Sequence, residues 1–281
     1  MTPHSHFPIG IFDSGVGGLT TAYALHSLLP HENIVYFGDV AHHPYGEKSA
    51  SLLQNYTIKI CDFLLQHKVK LILIACHSAS SSSYITAKNY VGKRAIVMNV
   101  IDPVITHLKH HYRGKKIGLI GTKHTIHSQV YHHKIKELDA NIVLSSLATP
   151  LLAPMIEEGY AGHNIIDAVL SNYLSQPELT DIQALLLACT HYPLIKHQIH
   201  QFYQSPINTS KSIILIDSAE LTSKAVQATL KENQLLKSPS INSTEPHSHK
   251  FFVSDYTQSF VDSARHFFPK SVDFESYPLW D

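Results

Sequence analysis

Short, wholly apolar runs that stop at a polar or cysteine residue alternate along this chain with segments whose apolar positions recur every three to four residues. The first run covers residues 8–12, stops at Asp13 and passes into the turn Gly15-Val16-Gly17-Gly18. This predicts a buried strand, a tight turn and a helix from near Leu19. Residues 34–37 predict a second strand, ending at Gly38-Asp39, and Leu53, Tyr56, Ile60, Phe63 and Leu64 share one face of a helix. Residues 71–75 are apolar throughout, as expected of a parallel strand covered on both faces, and end at Cys76. Strands alternating with helices predict a parallel α/β sheet, in which ligands gather at the carboxyl ends of the strands. Asp13, Asp39 and Cys76 all fall there.

The pattern then repeats. Ile117-Gly118-Leu119-Ile120-Gly121-Thr122 matches the run into Asp13-Ser14, and Ala184-Leu185-Leu186-Leu187-Ala188-Cys189 matches the run into Cys76. The spacing from Asp13 to Cys76 is close to that from Gly121 to Cys189. The expected fold class is therefore α/β, with two pseudo-symmetric parallel-sheet domains facing each other across an active-site cleft. Residues 1–98 plus 212–281 are assigned to the first domain, with Asp13 and Cys76. Residues 99–211 are assigned to the second, with Thr122, Cys189 and His191. A crossover between domains is expected at 205–212 and a surface loop at 238–249. Further strands are expected at 212–216 and 251–253, the latter followed by a helix with Phe260, Ala264, Phe267 and Phe268 on one face.

Composition narrows the function. Of 281 residues, 44% are apolar, enough for sizeable cores, and 22 Lys+Arg balance 22 Asp+Glu. No basic field exists for nucleic acid or an anionic membrane, and no apolar run approaches the ~20 residues of a membrane helix. Neither Lys nor Arg occurs before Lys48, so no signal peptide is expected, and three cysteines do not make a disulfide framework. A cytoplasmic protein with free thiols follows as the expectation. The 22 histidines, several in pairs such as His42-His43, show no metal-ligand spacing and are read as surface residues. No metal is expected.

The glycine turn lacks the third glycine of a dinucleotide fingerprint and the Gly-Lys-Ser/Thr ending of a phosphate loop. Asp13 beside it would repel a phosphate and suit an ammonium group. Cys76 and Cys189 say more. A lone cysteine at a strand end is usually a core residue, which is how Cys61 is read. Two at matched positions, each beside polar neighbours (Cys76-His77-Ser78 and Cys189-Thr190-His191), place one thiol on each side of a bound small molecule. That suits removal of a proton from one face of a carbon and delivery to the other.

The segments 10–20 (Gly-Ile-Phe-Asp-Ser-Gly-Val-Gly-Gly-Leu-Thr), 36–39 with 44–49, and 188–194 (Ala-Cys-Thr-His-Tyr-Pro-Leu) resemble glutamate racemases of the aspartate/glutamate racemase superfamily. Segments 118–122, 154–159 and 216–220 support the resemblance, which runs from about residue 8 to about 225. It implies an isomerase that interconverts L- and D-glutamate without pyridoxal phosphate or metal, supplying D-glutamate for peptidoglycan. It implies Cys76 as the base toward D-glutamate and Cys189 toward L-glutamate, with Asp13 tuning Cys76, His191 tuning Cys189, and Glu157 orienting His191. Substrate contacts carried over by motif are Asp13, Ser14, Tyr45, Gly46, His77, Ser78, Thr122, Thr190 and His191. The only partner implied is the small-molecule substrate, with a homodimer as one option.

One position departs from the family, which reads Cys-Asn-Thr where this chain has Cys76-His77-Ser78. A protonated His77 would attract substrate carboxylates and stabilise the neighbouring thiolate, changing rate and substrate choice. Rival readings are an aspartate racemase, a single Cys–His hydrolase that leaves the second cysteine without a role, and a lapsed racemase acting as a binding protein.

Overall fold

The computed structural model describes residues 4–205, 213–237, 249–268 and 272–280. Strands β1 (Ile9–Asp13), β2 (Ile34–Gly38), β3 (Leu71–Ile74) and β4 (Ile96–Asn99) alternate with helices α1 (Leu19–Leu28), α2 (Ala50–Gln66) and α3 (His77–Val91). Helix α4 (Asp102–His111) leads into a second series. This comprises β5 (Lys116–Gly121), α5 (Lys123–His127), α6 (Val130–Lys136), β6 (Val143–Ala148), α7 (Leu152–Glu157), α8 (Asn164–Leu174), β7 (Ala184–Ala188), α9 (Lys196–Gln204) and β8 (Ile214–Asp217). Helix α10 (Ser218–Glu232), β9 (Lys250–Val253), α11 (Gln258–Phe267) and β10 (Phe274–Ser276) complete the chain.

All strand pairings among the described residues are parallel. The first sheet has the order β10-β9-β2-β1-β3-β4 and the second β6-β5-β7-β8. The core order β2-β1-β3-β4 thus recurs as β6-β5-β7-β8, and the duplicated apolar runs are the equivalent strands β1/β5 and β3/β7. Successive side chains of a strand point to opposite faces, and the cores follow that rule. Leu71 and Leu73 of β3, with Leu185 and Leu187 of β7, enter the core shared between the sheets. Ile72 and Ile74 pack beneath α2 and α3, while Ala184, Leu186 and Ala188 pack on the outer side of the second sheet. No helix among the described residues is long and apolar enough to cross a membrane.

The expected division at residue 212 differs from the structure. Strand β8 hydrogen-bonds to β7, with Ile214 opposite Ala184, so it belongs with the second sheet. Residues 206–212 lie outside the described set, but the elements on either side both belong to the second half. The chain returns to the first sheet only through α10 and the segment before β9. Of the expected loop at 238–249, residues 238–248 lie outside the described residues.

A buried ion pair anchors that return. Lys70, at the entry to β3 and without solvent exposure, donates to Glu32 Oε2 (2.5 Å), to the Ser5 carbonyl (2.6 Å) and to the Leu235 carbonyl beyond α10 (2.9 Å). Glu32 Oε1 accepts the Lys237 N–H (2.8 Å). Removing one partner of such a pair leaves a buried charge uncompensated. Lys70→Met is therefore expected to lose about 3–5 kcal/mol in urea unfolding, and adding Glu32→Leu should recover much of that loss. A single variant as stable as the parent would contradict this account.

Candidate active site

The first wall begins where β1 ends. The Asp13 carboxylate accepts the N–H groups of Gly15 (3.2 Å) and Gly18 (3.0 Å), which folds the turn back over the strand end. A Cβ at Gly18 would stand 2.4 Å from Asp13 Cβ, and one at Gly17 would stand 2.4 Å from both His191 Cε1 and Thr190 Oγ1. Space, not backbone dihedral, requires glycine here. The turn is where the two halves touch, and the Thr20 hydroxyl lies 2.9 Å from the Thr190 carbonyl across the seam. Burial pushes the Asp13 carboxyl up, outweighing the lowering effects of His191 and the two glycine N–H groups.

Cys76 sits between β3 and α3, with its Sγ 4.0 Å from Ser14 Oγ. Burial, and next the Asp13 carboxylate, push its thiol far above the ordinary range, against a weaker opposing hydrogen bond from the Ala79 N–H. Cys76 therefore rests as a thiol. His77 corrects an expectation. Its ring is 2% exposed, neither nitrogen has a hydrogen-bond partner among the described residues, and burial pulls it down to about 3. It is neutral, so it supplies no cation to the thiolate or to a substrate carboxylate. Desolvation decides this, and the local sequence does not carry that information.

The second wall holds a charge relay in space. Cys189, directly after β7, has its Sγ 3.5 Å from His191 Nδ1. His191 Nε2 donates to Glu157 Oε1 at 2.6 Å, and His43 Nε2 lies 3.0 Å from Glu157 Oε2. Burial pushes His191 down, but the Glu157 carboxylate and then Cys189 outweigh it and hold the ring well above the ordinary histidine range. For Glu157, burial pushes up, while the His191 charge and the hydrogen bonds from His191 and His43 leave it well below the carboxylate range. The pair is an imidazolium–carboxylate, and the imidazolium can present Nδ1–H to Cys189.

A cavity of about 100 Å³ lies between these walls. It is lined by Cys76 and Cys189 together with Ser14, Tyr45, Gly46, His77, Ser78, Thr122, Thr190 and His191. Asp13 and Glu157 stand behind the lining and act on it through Thr190 and His191. Ser78 Oγ and Thr122 Oγ1 meet at 2.9 Å across the cleft, and at its rim Lys123 pairs with Glu47 at 3.3 Å. Sequence reasoning missed His43 and Thr149 as lining residues. In the sequence, His43 shows only as half of the His42-His43 pair. Thr149 follows β6, whose residues are exposed or half-buried and lack the apolar signature of the other strands. Cys61 is buried in α2 away from this lining, and burial pushes its thiol up to about 12. No cluster of three or more His, Cys, Asp or Glu side chains among the described residues is arranged to hold a metal ion.

A family profile described as Asp/Glu/Hydantoin racemase matches residues 21–226. A glutamate racemase of Neisseria meningitidis is 35% identical over 267 residues, covering 95% of this chain and 94% of that protein. The crystal structure of a Francisella tularensis glutamate racemase in complex with D-glutamate superposes with a TM-score of 0.87 at 34% identity, covering 98% of this chain and 99% of that one. An aspartate racemase from Picrophilus torridus superposes at a TM-score of 0.53 and 20% identity, covering 81% of this chain and 98% of that one, a likeness of fold.

The imidazolium–carboxylate pair has a pH signature. His191, raised above 6.5, contributes stability in full below about pH 6.5 and loses it as pH rises through its raised value. Glu157, lowered below 4.5, contributes above about pH 4.5 and loses it as pH falls. The stability deficit of Glu157→Gln should therefore be greatest between about pH 4.5 and 6.5. The His191 ring-proton NMR signal, assigned with a His191→Gln variant, should hold its charged position through pH 7 in the parent and lose it in Glu157→Gln. A parent signal that titrates at the ordinary value would refute the pairing.

Proposed function

The chain belongs to the Asp/Glu/hydantoin racemase family, and from that premise we propose that this amino-acid racemase interconverts L- and D-glutamate by a two-thiol, two-base mechanism. The observation that carries the proposal is the placement of Cys76 and Cys189, at the ends of the equivalent strands β3 and β7, on one cavity. In this mechanism one cysteine, as thiolate, takes the Cα proton. The electron pair left on Cα delocalises into the α-carboxylate, and the opposite cysteine, as thiol, returns a proton to the other face. Cys189 acts on L-glutamate and Cys76 on D-glutamate.

The resting electrostatics suit that division. Cys76 is held as a proton donor by burial and by Asp13, while His191 offers Cys189 an N–H partner for its thiolate. A carbanion beside a carboxylate forms only where fixed donors meet the growing charge. The hydroxyls of Ser14, Ser78, Thr122 and Thr190, and the His77 and Ser78 N–H groups in the first turn of α3, are the donors we assign to that task. Tyr45, Gly46 and the neutral ring of His77 complete the substrate contacts, and Asp13, behind the lining, favours the substrate ammonium through its charge and holds Thr190 toward it. Because the thiols themselves carry the proton, the proposed reaction needs neither pyridoxal phosphate nor a metal. Its role is to supply D-glutamate for peptidoglycan in the cytoplasm.

Racemisation of L-glutamate in deuterated water tests this, with aspartate run beside it as the competing substrate. The D-glutamate formed should carry deuterium at Cα from the first turnover, with no cofactor added, and aspartate should turn over far more slowly. Cys76→Ala and Cys189→Ala should each lower kcat by more than about a thousandfold, a loss of roughly 4 kcal/mol. Cys61→Ala should stay within a few-fold of the parent. Full activity in either active-site variant would sink the mechanism.

A further inference from the structure

Asp39 is a fully buried carboxylate at the end of β2 that the proposed chemistry leaves unused. Its Oδ2 accepts the Tyr45 hydroxyl at 2.6 Å, and its Oδ1 accepts the Ser254 hydroxyl and the Trp280 indole N–H, both at 2.8 Å. His42 Nδ1 lies 3.1 Å from both oxygens. These donors come from three stretches of chain: the segment that carries Tyr45, the residue after β9, and the residues after β10. Trp280 is the one tryptophan in the sequence. The His42 ring is stacked on Tyr56 at 4.0 Å and meets Trp280 edge-on at 4.3 Å, so the indole is clamped as well as hydrogen-bonded.

The other side of the same segment is equally constrained. A Cβ at Gly46 would stand 2.9 Å from Thr122 Cβ of the second half, so the Tyr45-Gly46 wall has no slack toward the cavity. What sets its position from behind is the donor set around Asp39. A buried carboxylate deprived of a donor draws its remaining partners toward it or admits water, and Tyr45 is the partner that also lines the cavity.

We propose that Trp280, acting through Asp39, is a positioning residue for the Tyr45-Gly46 wall and thereby sets the enzyme's affinity for glutamate. This rests on the reading of the cavity as the glutamate site. Trp280 lies outside the cavity lining, and the thiols are carried at the ends of β3 and β7 and not on the Tyr45-Gly46 segment. The wall meets the substrate alike before and during proton transfer, so the effect falls on KM and spares kcat.

Trp280→Phe keeps an aromatic ring in the clamp and removes the N–H. It should raise KM for both enantiomers at least threefold with kcat within twofold of the parent. Ser254→Ala, which takes a second donor from the same oxygen, should move KM in the same direction. Because Trp280 is the sole indole, emission of the parent protein should change on titration with D-glutamate and saturate near its KM. An unmoved KM in folded Trp280→Phe overturns the proposal, as does a fall in kcat with KM unchanged. Should that variant fail to fold, unchanged parent emission at saturating D-glutamate overturns it by itself. A parent protein that racemises no glutamate refutes the underlying reading together with this one, whereas an active parent with an unmoved Trp280→Phe KM refutes this one alone.

Discussion

The seam between the two sheets buries charge where water cannot solvate it, and the rest of the site depends on that charge being fully partnered. Asp13 and His191 are buried there, and each is bound by fixed groups: glycine N–H donors for Asp13 and Glu157 for His191. An isolated charge in such a place would neutralise itself by shifting its titration. Pairing keeps the His191–Glu157 charges, and the low dielectric around them then strengthens every contact made to a substrate. The glycines of the turn belong to the same requirement, since a side chain at Gly17 would hold His191 and Thr190 away from Asp13.

The fold is a duplication, but the duplication is not carried into the chemistry. Equivalent strands end in equivalent cysteines, and the order β2-β1-β3-β4 is repeated as β6-β5-β7-β8. The groups beside the two thiols nevertheless differ in sign. Cys76 faces the carboxylate of Asp13, whose counterpart at the end of β5 is Gly121, and Cys189 faces the imidazolium of His191. A reaction that needs one protonated and one deprotonated sulfur gains from this asymmetry. Two electrostatically identical thiols would share their protonation states without preference.

Much of this was readable before any coordinates. Strands β1, β3, β5 and β7 are central, covered on both faces, and so are written as unbroken apolar runs; the two cysteines and the glycine turn follow directly from them. Edge strand β6 was invisible because its residues are exposed or half-buried, and Thr149 was missed with it. The motif resemblance identified twelve candidate site residues, ten of which line one cavity while Asp13 and Glu157 support it from behind.

The sequence by itself determined which segments are buried strands, that they occur in two similar series, and that a cysteine closes one strand of each. These are local properties, set by side-chain polarity over a few consecutive residues. Tertiary structure decided the rest. Strand β8 joined the second sheet, against the expected boundary, because sheet membership is a matter of hydrogen bonds between strands far apart in the chain. His77 is neutral and His191 charged although both are histidines two or fewer residues from a cysteine, because one is buried with no hydrogen-bond partner among the described residues and the other is buried against Glu157. Protonation state depends on what surrounds a group from all sides, and that environment exists only once distant segments have packed together.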